Sequence, residues 1–575
     1  MKKLLFILIF ISLFFPISKR FPQTVHHLGV NVPWRSTEIG MTTTFPLLDE
    51  LGVKFYRHMM YSDVGWVHIE PQNDEWHFEY ADSAMFNPYG ITPLPTLYHC
   101  CNASDTIGLQ VPWRACFEDT CGWHFRDSTD SKDYVQTVVN RYKSRTKYWE
   151  ISNELDGNQR RPRGLPARIV ADFLRLNYRW IKEADPEAQI VLPSLSGTFG
   201  MPLGQYNWLR IVLLNGGCNY FDIIGYHDYN SWWTLTAHID SINKAMQDFG
   251  CPQKPFWNTE CSISSDSTTN ITPRYSSLDQ QAADVWRRSA ILFAYGVEKY
   301  FWHPLWSGDK RPWIDFGLTN ANGIKKKSFH SFKLLVQEID TFQTAQFIST
   351  GIVTNDNFSG GEGIWAVKYT FSNGENKWVL WSKDNQSYTL DLPEFNFAEA
   401  TCAVPVYLSP DGENAVFQKD TIQVINGSVT FDLTDIPILV KGLMLDNVNT
   451  ENTLLKFELS QNYPNPFSAK GGPTTTITYV IARSEATRQS TGNSANPNSS
   501  VDCRAPLRSA RNDAIDVSLK VYDALGREVA TLVNKKQTHG KYSVQFDADG
   551  LPSGVYFYTL RAGDFVQTRK MVLLK

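Results

Sequence analysis

Residues 147–154 carry the sequence KYWEISNE, a short run of aromatic and β-branched side chains that ends on a carboxylate. Runs of this length and composition are typical of buried strands in a parallel sheet. The same kind of run recurs through the first 345 residues, and this recurrence decides the fold class. The eight predicted strands cover residues 27–32, 53–60, 91–99, 147–154, 189–197, 221–229, 254–262 and 299–306.

Amphipathic segments separate these strands. Those with apolar residues at i, i+3 and i+4 predict helices over residues 134–145, 167–184, 235–249 and 280–295. Alternating strands and helices require a parallel sheet, and eight strands suffice to close it. We therefore predict an α/β fold with a (β/α)8 TIM barrel over residues 24–345. An open doubly wound sheet is the alternative, but GVNVP at 29–33 lacks its glycine-rich phosphate turn.

The remaining chain changes to period-two alternation. Residues 363–371 (GIWAVKYTF) and 376–382 (NKWVLWS) predict a hairpin around SNGE, within a β-sandwich over residues 346–447. A third, small all-β unit follows over residues 455–575. Its predicted strands cover residues 474–481, 517–522, 542–546 and 555–560.

One segment of this last unit looks foreign to it. Residues 482–514 are rich in Ser, Asn and Arg, contain few apolar residues and show no periodicity. Such a segment cannot bury enough surface to offset its ordering entropy. We predict a disordered insertion within a hairpin.

Composition narrows the possible functions. The 575 residues carry a formal net charge of -4, which gives no basis for binding nucleic acid. The 18 Trp, 25 Tyr and 34 Phe residues are unusually many. Flat aromatic faces stack on sugar rings as well as filling cores, so the aromatic content is compatible with a sugar-binding cleft.

The N-terminus predicts export. Residues 1–3 are MKK and residues 4–17 are apolar apart from Ser12, which indicates a secretory signal over residues 1–23. The apolar run is shorter than the about 20 residues that a membrane span needs, although an uncleaved anchor remains the alternative. No later stretch is long and apolar enough, so we predict no integral membrane segment in the mature chain.

Nine cysteines fall into two groups. Four lie in one segment, and in an exported protein they predict one or two local disulfides whose pairing stays open, with a zinc site as the alternative. We predict that the other five are buried or unpaired. The first group is Cys100, Cys101, Cys116 and Cys121, and the second is Cys218, Cys251, Cys261, Cys402 and Cys503.

Two predicted strands end on glutamates, Glu154 and Glu260. Catalytic groups of TIM barrels lie at the carboxyl ends of the strands. Two carboxylates across such an opening suit glycoside hydrolysis, in which one carboxyl protonates the leaving oxygen and the other attacks the anomeric carbon. We predict that Glu150, in the same strand as Glu154, has a structural role, in which it forms an ion pair or faces a neighbouring strand.

These residues resemble the clan A glycoside hydrolases. Trp-Glu-Ile-Ser-Asn-Glu and Phe-Trp-Asn-Thr-Glu are most similar to the family 39 and family 51 branches, with families 5 and 30 as relatives, although Ser152 stands where many members have Trp. The resemblance implies that Glu154 is the acid/base and Glu260 the nucleophile. It also implies that the enzyme retains the anomeric configuration and needs no metal or organic cofactor.

The resemblance extends to further strand ends. It implies that Asn153 binds the sugar 2-hydroxyl, that Tyr229 orients the nucleophile, and that Arg57 keeps the nucleophile ionised. The remaining implied contacts to the sugar come from His227, which would line the donor subsite, from Trp302, which would form an aromatic floor, and from His99. A satisfied core histidine and plain core packing are the alternatives for His227 and Trp302.

The trailing domains also resemble known ones. The sandwich is similar to the β-domain that packs on the barrel in several clan A families, with residues 431–440 as its closing strand; an independent carbohydrate-binding module is the alternative. The last unit resembles the C-terminal sorting domain of type IX secretion, which implies the secretion machinery as a partner. The matching segments are YPNPF at 463–467, VYDALGREV at 521–529, GVYFY at 554–558 and KMVLLK at 570–575.

Together these features predict a retaining glycoside hydrolase that acts on poly- or oligosaccharides. We expect the protein to be secreted or held at the outer surface of a Gram-negative bacterium. The alternative is a non-catalytic surface protein that binds carbohydrate or mediates adhesion on a barrel scaffold. The sugar, the linkage and the choice between exo and endo action stay open.

Overall fold

The computed structural model describes most of the chain, and the predicted signal segment 1–23 and insertion 482–514 lie outside the described residues. The described residues 25–443 form one compact unit, and those beyond residue 443 form a second. The described ranges are residues 25–32, 40–58, 64–72, 74–98, 128–156, 167–196, 202–265, 277–307, 315–354, 359–444, 457–462, 465–468, 474–481, 515–537, 540–563 and 565–574.

Parallel strands form the core of the first unit, and each of the eight predicted segments overlaps at least one of them. Pro95 divides the third predicted strand into β3 and β4, because proline has no backbone N–H for the ladder. The strands are β1 (Leu28–Val32), β2 (Phe55–His58), β3 (Thr92–Leu94), β4 (Thr96–Leu97), β5 (Tyr148–Ile151), β6 (Gln189–Val191), β7 (Ile224–His227), β8 (Phe256–Cys261) and β9 (Val297–Trp302).

These strands belong to two parallel sheets. One sheet has the order β3-β2-β1-β9-β8-β7 and the other has the order β4-β5-β6. Parallel bridges between Val191 and Ile223 and between Leu195 and Tyr226 connect β6 with β7, across the edges of the two sheets. The carboxyl ends of β5, β7 and β8 are thereby brought to one side of a parallel β/α domain.

Helices follow most of these strands, and the four predicted helices are present. Ala167–Ala184 ends where Asp185 and Pro186 begin, as the breaker signal predicted. The helices of the described residues are α1 (Gly40–Leu51), α2 (Trp66–Ile69), α3 (Glu79–Met85), α4 (Ser128–Tyr142), α5 (Ala167–Ala184), α6 (Pro202–Leu214), α7 (Leu235–Asp248), α8 (Leu278–Ala294) and α9 (Lys327–Ile339).

Antiparallel strands complete the first unit. The main sheet has the order β10-β11-β12-β19-β14-β17, while β13 pairs with β18 and β15 with β16. The bounds are β10 (Thr344–Ser349), β11 (Ile364–Thr370), β12 (Asn376–Ser382), β13 (Ser387–Asp391), β14 (Phe397–Cys402), β15 (Tyr407–Leu408), β16 (Ala415–Val416), β17 (Lys419–Gln423), β18 (Ser428–Asp432) and β19 (Ile438–Leu443).

The predicted hairpin is confirmed, since β11 and β12 pair antiparallel from Ile364↔Ser382 to Thr370↔Asn376. The prediction of one closing strand over residues 431–440 is wrong. Residues between β18 and β19 interrupt it, and the two strands pair with different partners: β18 with β13, and β19 with β12 and β14. Pro437 sits in this interruption, where its missing N–H removes no ladder bond.

Aromatic rings join the antiparallel region to the parallel β/α domain. Trp232 follows β7, and its ring lies 5.3 Å from that of Trp365 and 5.8 Å from that of Trp381. Ser331 on α9 donates a hydrogen bond to the carbonyl oxygen of Ala403 at 2.6 Å. The two regions therefore share one continuous core.

The second unit is all β, as predicted, with the sheet orders β20-β22-β25 and β21-β27-β26-β23-β24. The prediction that residues 482–514 interrupt a hairpin is wrong, because the flanking strands β22 and β23 belong to different sheets. The bounds are β20 (Glu458–Leu459), β21 (Phe467–Ser468), β22 (Thr474–Ile481), β23 (Ile515–Asp523), β24 (Glu528–Gln537), β25 (Gly540–Asp547), β26 (Gly554–Ala562) and β27 (Phe565–Leu574).

The cysteine prediction needs correction. Cys218 and Cys251 form a disulfide, with Cα atoms 5.9 Å apart, and Cys402 is also disulfide-bonded. Cys261 is free and buried, as predicted. The clustered cysteines Cys100, Cys101, Cys116 and Cys121, together with Cys503, lie outside the described residues. Among the helices of the described chain, none combines the length and apolarity needed to cross a bilayer.

Candidate active site

Glu260 lies near the end of β8, which is buried along its whole length. The side chain is only 6% exposed. Arg57 Nη1 donates to Oε1 at 2.7 Å, and the Tyr229 hydroxyl donates to Oε2 at 2.6 Å. Both contacts require an ionised carboxylate to accept them fully, so they favour the charged form of Glu260.

Arg57 connects this carboxylate to β5. Its Nε donates to Glu150 Oε2 at 2.6 Å, and its Nη2 donates to Glu150 Oε1 at 3.0 Å and to Asn153 Oδ1 at 2.6 Å. Its Nη1 also donates to Asn31 Oδ1 at 3.1 Å. The predicted structural ion pair of Glu150 is confirmed, and Arg57 is its partner.

Glu154 lies just past β5, on a turn with an unusual backbone. Ser152 has a φ of 62° and Glu154 a φ of 48°, the left-handed region that residues other than glycine seldom adopt. The Glu154 N–H donates to the Ser194 carbonyl at 3.1 Å, and Asn153 bridges to Ser194 in parallel register. Strained conformations of this kind persist where the surroundings over-determine them, and they cluster at functional sites.

His227 connects the two glutamates. Its Nδ1 lies 2.7 Å from Glu154 Oε1 and 3.5 Å from Glu260 Oε2. The proximity follows from the sheet, because His227 of β7 is in register with Glu260 of β8. One ligand-type atom each from Glu154, His227 and Glu260 lies within 4.8 Å of the others, so the two carboxylates face each other.

The pKa values reflect this crowding. Burial alone would raise the pKa of Glu260, but the charges of His227, His303 and Arg57 and the Tyr229 hydroxyl lower it well below the usual range. Burial alone would lower the pKa of His227, but Glu260 and Glu154 raise it above its ordinary value. The site therefore holds Glu260 ionised and favours a protonated imidazole beside both carboxylates.

His303 is a residue of the site that the sequence analysis missed. It directly follows β9, and its Nδ1 lies 3.6 Å from Glu260 Oε2. Its ring lies edge-on to that of Tyr229, with centroids 5.9 Å apart. The rule that functional side chains sit at strand ends could have found it, because it follows Trp302 directly.

The predicted sugar contacts of Trp302 and His99 stay predictions. Trp302 is fully buried, and its Nε1 donates to the Phe316 carbonyl at 3.0 Å. The ring centroid of Phe316 in turn lies 5.7 Å from that of Tyr229, which belongs to the cluster. The role of Trp302 as a sugar floor stays a prediction, and His99 lies outside the described residues.

The same three side chains offer the donor set of a possible metal site. Glu154, His227 and Glu260 each provide one atom, with all three atoms within 4.8 Å. Each of these groups already has an oppositely charged partner, because Arg57 pairs with Glu260 and His227 with Glu154. The guanidinium thus supplies the positive charge that a divalent ion would otherwise bring.

Chemically, the arrangement provides an ionised carboxylate facing a second carboxyl group. Glu260 is held in place by donors on both oxygens, and Glu154 is 23% exposed with one oxygen on His227. The first suits nucleophilic attack. The second suits proton exchange with a bound molecule or with water.

Comparison with known proteins gives the last unit a family. Residues 506–574 match the secretion system C-terminal sorting domain. This sorting tail indicates that the protein is secreted or attached to the cell surface in Bacteroidetes. No curated protein matches the full sequence at a significant level.

The first unit is similar to solved glycoside hydrolase structures. A family 39 glycoside hydrolase from Bacteroides cellulosilyticus is 17% identical with a TM-score of 0.53, covering 72% of this chain and 81% of that one. A family 51 α-L-arabinofuranosidase from Bifidobacterium longum is 12% identical with a TM-score of 0.51, covering 74% and 97%. At these identities the likeness establishes the fold, a parallel β/α domain of the TIM-barrel type followed by antiparallel sheets.

Proposed function

We propose that this protein is a secreted retaining glycoside hydrolase that cleaves O-glycosidic bonds of poly- or oligosaccharides. The observation that carries the proposal is the pair of facing carboxylates, Glu154 and Glu260, whose nearest oxygens lie within 4.8 Å. Retaining glycosidases hold their two carboxyl groups about 5–5.5 Å apart, whereas inverting enzymes need room for a water between them. The fold shared with family 39 and family 51 hydrolases supports the same reaction class.

In the proposed first step, Glu260 attacks the anomeric carbon while Glu154 gives its proton to the departing glycosidic oxygen. The carbon–oxygen bond to the leaving group breaks as the ester bond to Glu260 forms. Arg57 and Tyr229, which donate to the two oxygens of Glu260, keep it ionised and aimed before the attack. Their fixed positions mean that no reorganisation is required at the moment of reaction.

In the proposed second step, the Glu154 carboxylate takes a proton from water, and the resulting hydroxide attacks the anomeric carbon and releases Glu260. His227 contacts Glu154 throughout at 2.7 Å and keeps its carboxyl group over the sugar. The Asn153 Oδ1 accepts a hydrogen bond from Arg57 Nη2 at 2.6 Å, which turns the Asn153 Nδ2 away from the guanidinium. That amide is then available as a donor to the sugar 2-hydroxyl.

The proposal also includes a closed barrel, an export route and a reaction without a cofactor. The bridges between β6 and β7 support a complete eight-stranded barrel formed by the two parallel sheets. The sorting tail supports passage through the type IX secretion machinery as the export route. The reaction as proposed needs only side-chain charges, so it requires no cofactor.

The test is a panel of aryl glycosides of xylose, glucose, galactose, mannose and arabinose. Wild type should hydrolyse at least one of them, and Glu260→Gln should abolish that turnover while leaving sugar binding measurable by calorimetry. Glu187→Gln is the matched control, because the Glu187 side chain is 80% exposed and its ion pair with Lys147 lies at the surface. Binding of sugars by wild type without turnover of any glycoside would favour a carbohydrate-binding or adhesive protein instead.

A further inference from the structure

We propose that Asp156 is a positioning residue for Glu154, acting through a clamp onto the backbone that follows β6. The inference rests on the proposed function, since it concerns the group assigned there as acid/base. The clamp is the pair of hydrogen bonds that the Ser196 N–H donates to Asp156, at 2.9 Å to Oδ1 and 3.1 Å to Oδ2. Asp156 itself does not need to touch the sugar.

The backbone segment after β6 that is bound by Asp156 also binds Glu154 and His227. On one side of Glu154, its own N–H donates to the Ser194 carbonyl at 3.1 Å. On the other side, Asp156 accepts from Ser196. The Leu195 carbonyl between them accepts from the His227 N–H at 2.8 Å. Glu154 and His227 are thus both fixed to the same three residues, and this sets the contact between their side chains.

The backbone explains why such a clamp is needed. Ser152 and Glu154 both have positive φ, and a residue with a Cβ tends to relax out of that region. The Glu154 N–H bond restrains the turn before the side chain, and the Asp156 bonds restrain it after. Without the second restraint, the turn can rotate and carry the Glu154 carboxyl group away from His227.

The charge of Asp156 also fits this role. Burial, and after it the nearby charge of Glu154, raise the pKa of Asp156 to about 7, although the Ser196 N–H opposes this rise. The charged groups that act on it are Glu154 and His227. At mildly acid pH Asp156 is therefore a neutral carboxyl group that keeps its acceptor oxygens without repelling Glu154. An asparagine is uncharged and keeps one acceptor oxygen for the Ser196 N–H, although its Nδ2 cannot accept the second bond.

The test compares Asp156→Ala and Asp156→Asn on two aryl glycosides of the sugar that wild type prefers. A dinitrophenyl leaving group departs without protonation, whereas a methoxyphenyl group needs the proton of Glu154. We expect Asp156→Ala to lower kcat/KM for the methoxyphenyl glycoside about 10–100-fold, the scale of a misplaced catalytic group. The dinitrophenyl glycoside should be hydrolysed at nearly the wild-type rate in the glycosylation step, and Asp156→Asn should resemble wild type on both.

Two controls make the result specific. Asp172→Ala makes the same change on the exposed face of α5, where Asp172 is 71% exposed, and should alter neither rate. The double variant Glu154→Gln with Asp156→Ala should be no slower than Glu154→Gln alone, since a residue that acts through Glu154 has nothing left to position. If the alanine variant does not fold, Asp156→Ser carries the same prediction.

Some outcomes would overturn the inference alone. An equal loss on both glycosides, full additivity with Glu154→Gln, or an Asp156→Asn variant as slow as the alanine variant would each do so. The proposed function fails separately, if Glu154→Gln itself shows no selective loss on the methoxyphenyl glycoside. Wild type that hydrolyses neither glycoside would remove the proposed function and this inference together.

Discussion

The ends of β5 and β8 place two glutamates opposite each other in contrasting surroundings. Glu260 lies within a buried strand, 6% exposed, with a donor on each carboxylate oxygen. Glu154 lies beyond its strand on a left-handed turn, 23% exposed, with His227 at one oxygen. One carboxylate is fixed by charge, and the other is fixed by the conformation of its backbone.

This difference follows the demands of the two proposed roles. A nucleophile must stay ionised, so it is held against cations that lower its pKa. An acid/base must gain and lose a proton in each cycle, so a permanently charged guanidinium such as the one at Glu260 would hinder it, whereas the imidazole beside Glu154 can itself take up and release a proton. The contrast is in line with the proposed roles and is an argument separate from the motif resemblance.

The largest expected effect comes from removing each carboxylate and adding azide. Glu260→Ala should lose more than about 10⁴-fold in turnover, and azide entering from that side should yield a glycosyl azide of inverted configuration. Glu154→Ala leaves the nucleophile in place, so azide should yield the retained configuration. Proton NMR of the anomeric centre distinguishes the products, and the opposite pairing of variant and product would exchange the two roles.

Arg57→Met tests whether charge holds the β8 end. The substitution leaves Glu150 and Glu260 buried without their cation, and breaking a buried ion pair in this way costs about 3–5 kcal/mol. Arg141→Met is the matched control, because the Arg141 and Asp82 side chains are 40% and 31% exposed, and exposed pairs contribute at most about 1 kcal/mol. Denaturant unfolding measures both changes. Equal losses in the free energy of unfolding would contradict the interpretation that Arg57 neutralises two buried carboxylates.

Tyr229→Phe removes one of the two donors on Glu260. A hydrogen bond to a charged group contributes about 1.5–3 kcal/mol, so kcat/KM should fall roughly 10–100-fold. The pKa of Tyr229 is well above its ordinary value, because of burial and then Glu260, so the hydroxyl remains a donor across the working pH range. Tyr295→Phe, which removes a hydroxyl donated to Asp240, is the control and should leave kcat/KM unchanged.

The smallest expected effect concerns stability at the β5 end. The pKa of Asp156 is raised to about 7 in the folded protein, whereas an Asp in the unfolded chain ionises near pH 4. Between these two pH values the folded protein therefore binds a proton that the unfolded chain has released. Wild type should therefore lose stability relative to Asp156→Asn as the pH rises from about 4 to 7. We expect equal Tm values at pH 4 and a variant that is a few degrees more stable at pH 8, measured by calorimetry. A constant difference would show that Asp156 does not titrate there.

Much of the fold and several residues of the candidate site could be predicted from the sequence. Alternating strand and helix patterns gave the segments that overlap all the parallel strands, and the strand-end rule picked out Glu154 and Glu260. The interpretation of Glu150 as an ion-paired residue also followed from the sequence, because a buried charge needs a partner. These predictions depend on periodicity and burial, which are local or average properties of the chain.

The sequence did not indicate the local backbone conformation of the site or the contacts between segments far apart in the chain. No pattern indicates the positive φ of Ser152 and Glu154, since neither residue type favours that region. The clamp joins Asp156 to Ser196, 40 residues away, through a backbone N–H that has no sequence signature. The interruption before β19 required knowing that β18 and β19 pair with different strands.

The disulfide between Cys218 and Cys251 has a consequence for how the protein is made. It spans 33 positions, and the enclosed chain contains β7, which ends on His227, and Tyr229 just beyond it. Such bonds form and persist in oxidising compartments and are rare where thiols are kept reduced. The disulfide that closes the segment with His227 and Tyr229 is thus expected to form only after the chain has left the cytoplasm, so export completes the covalent structure around the candidate site.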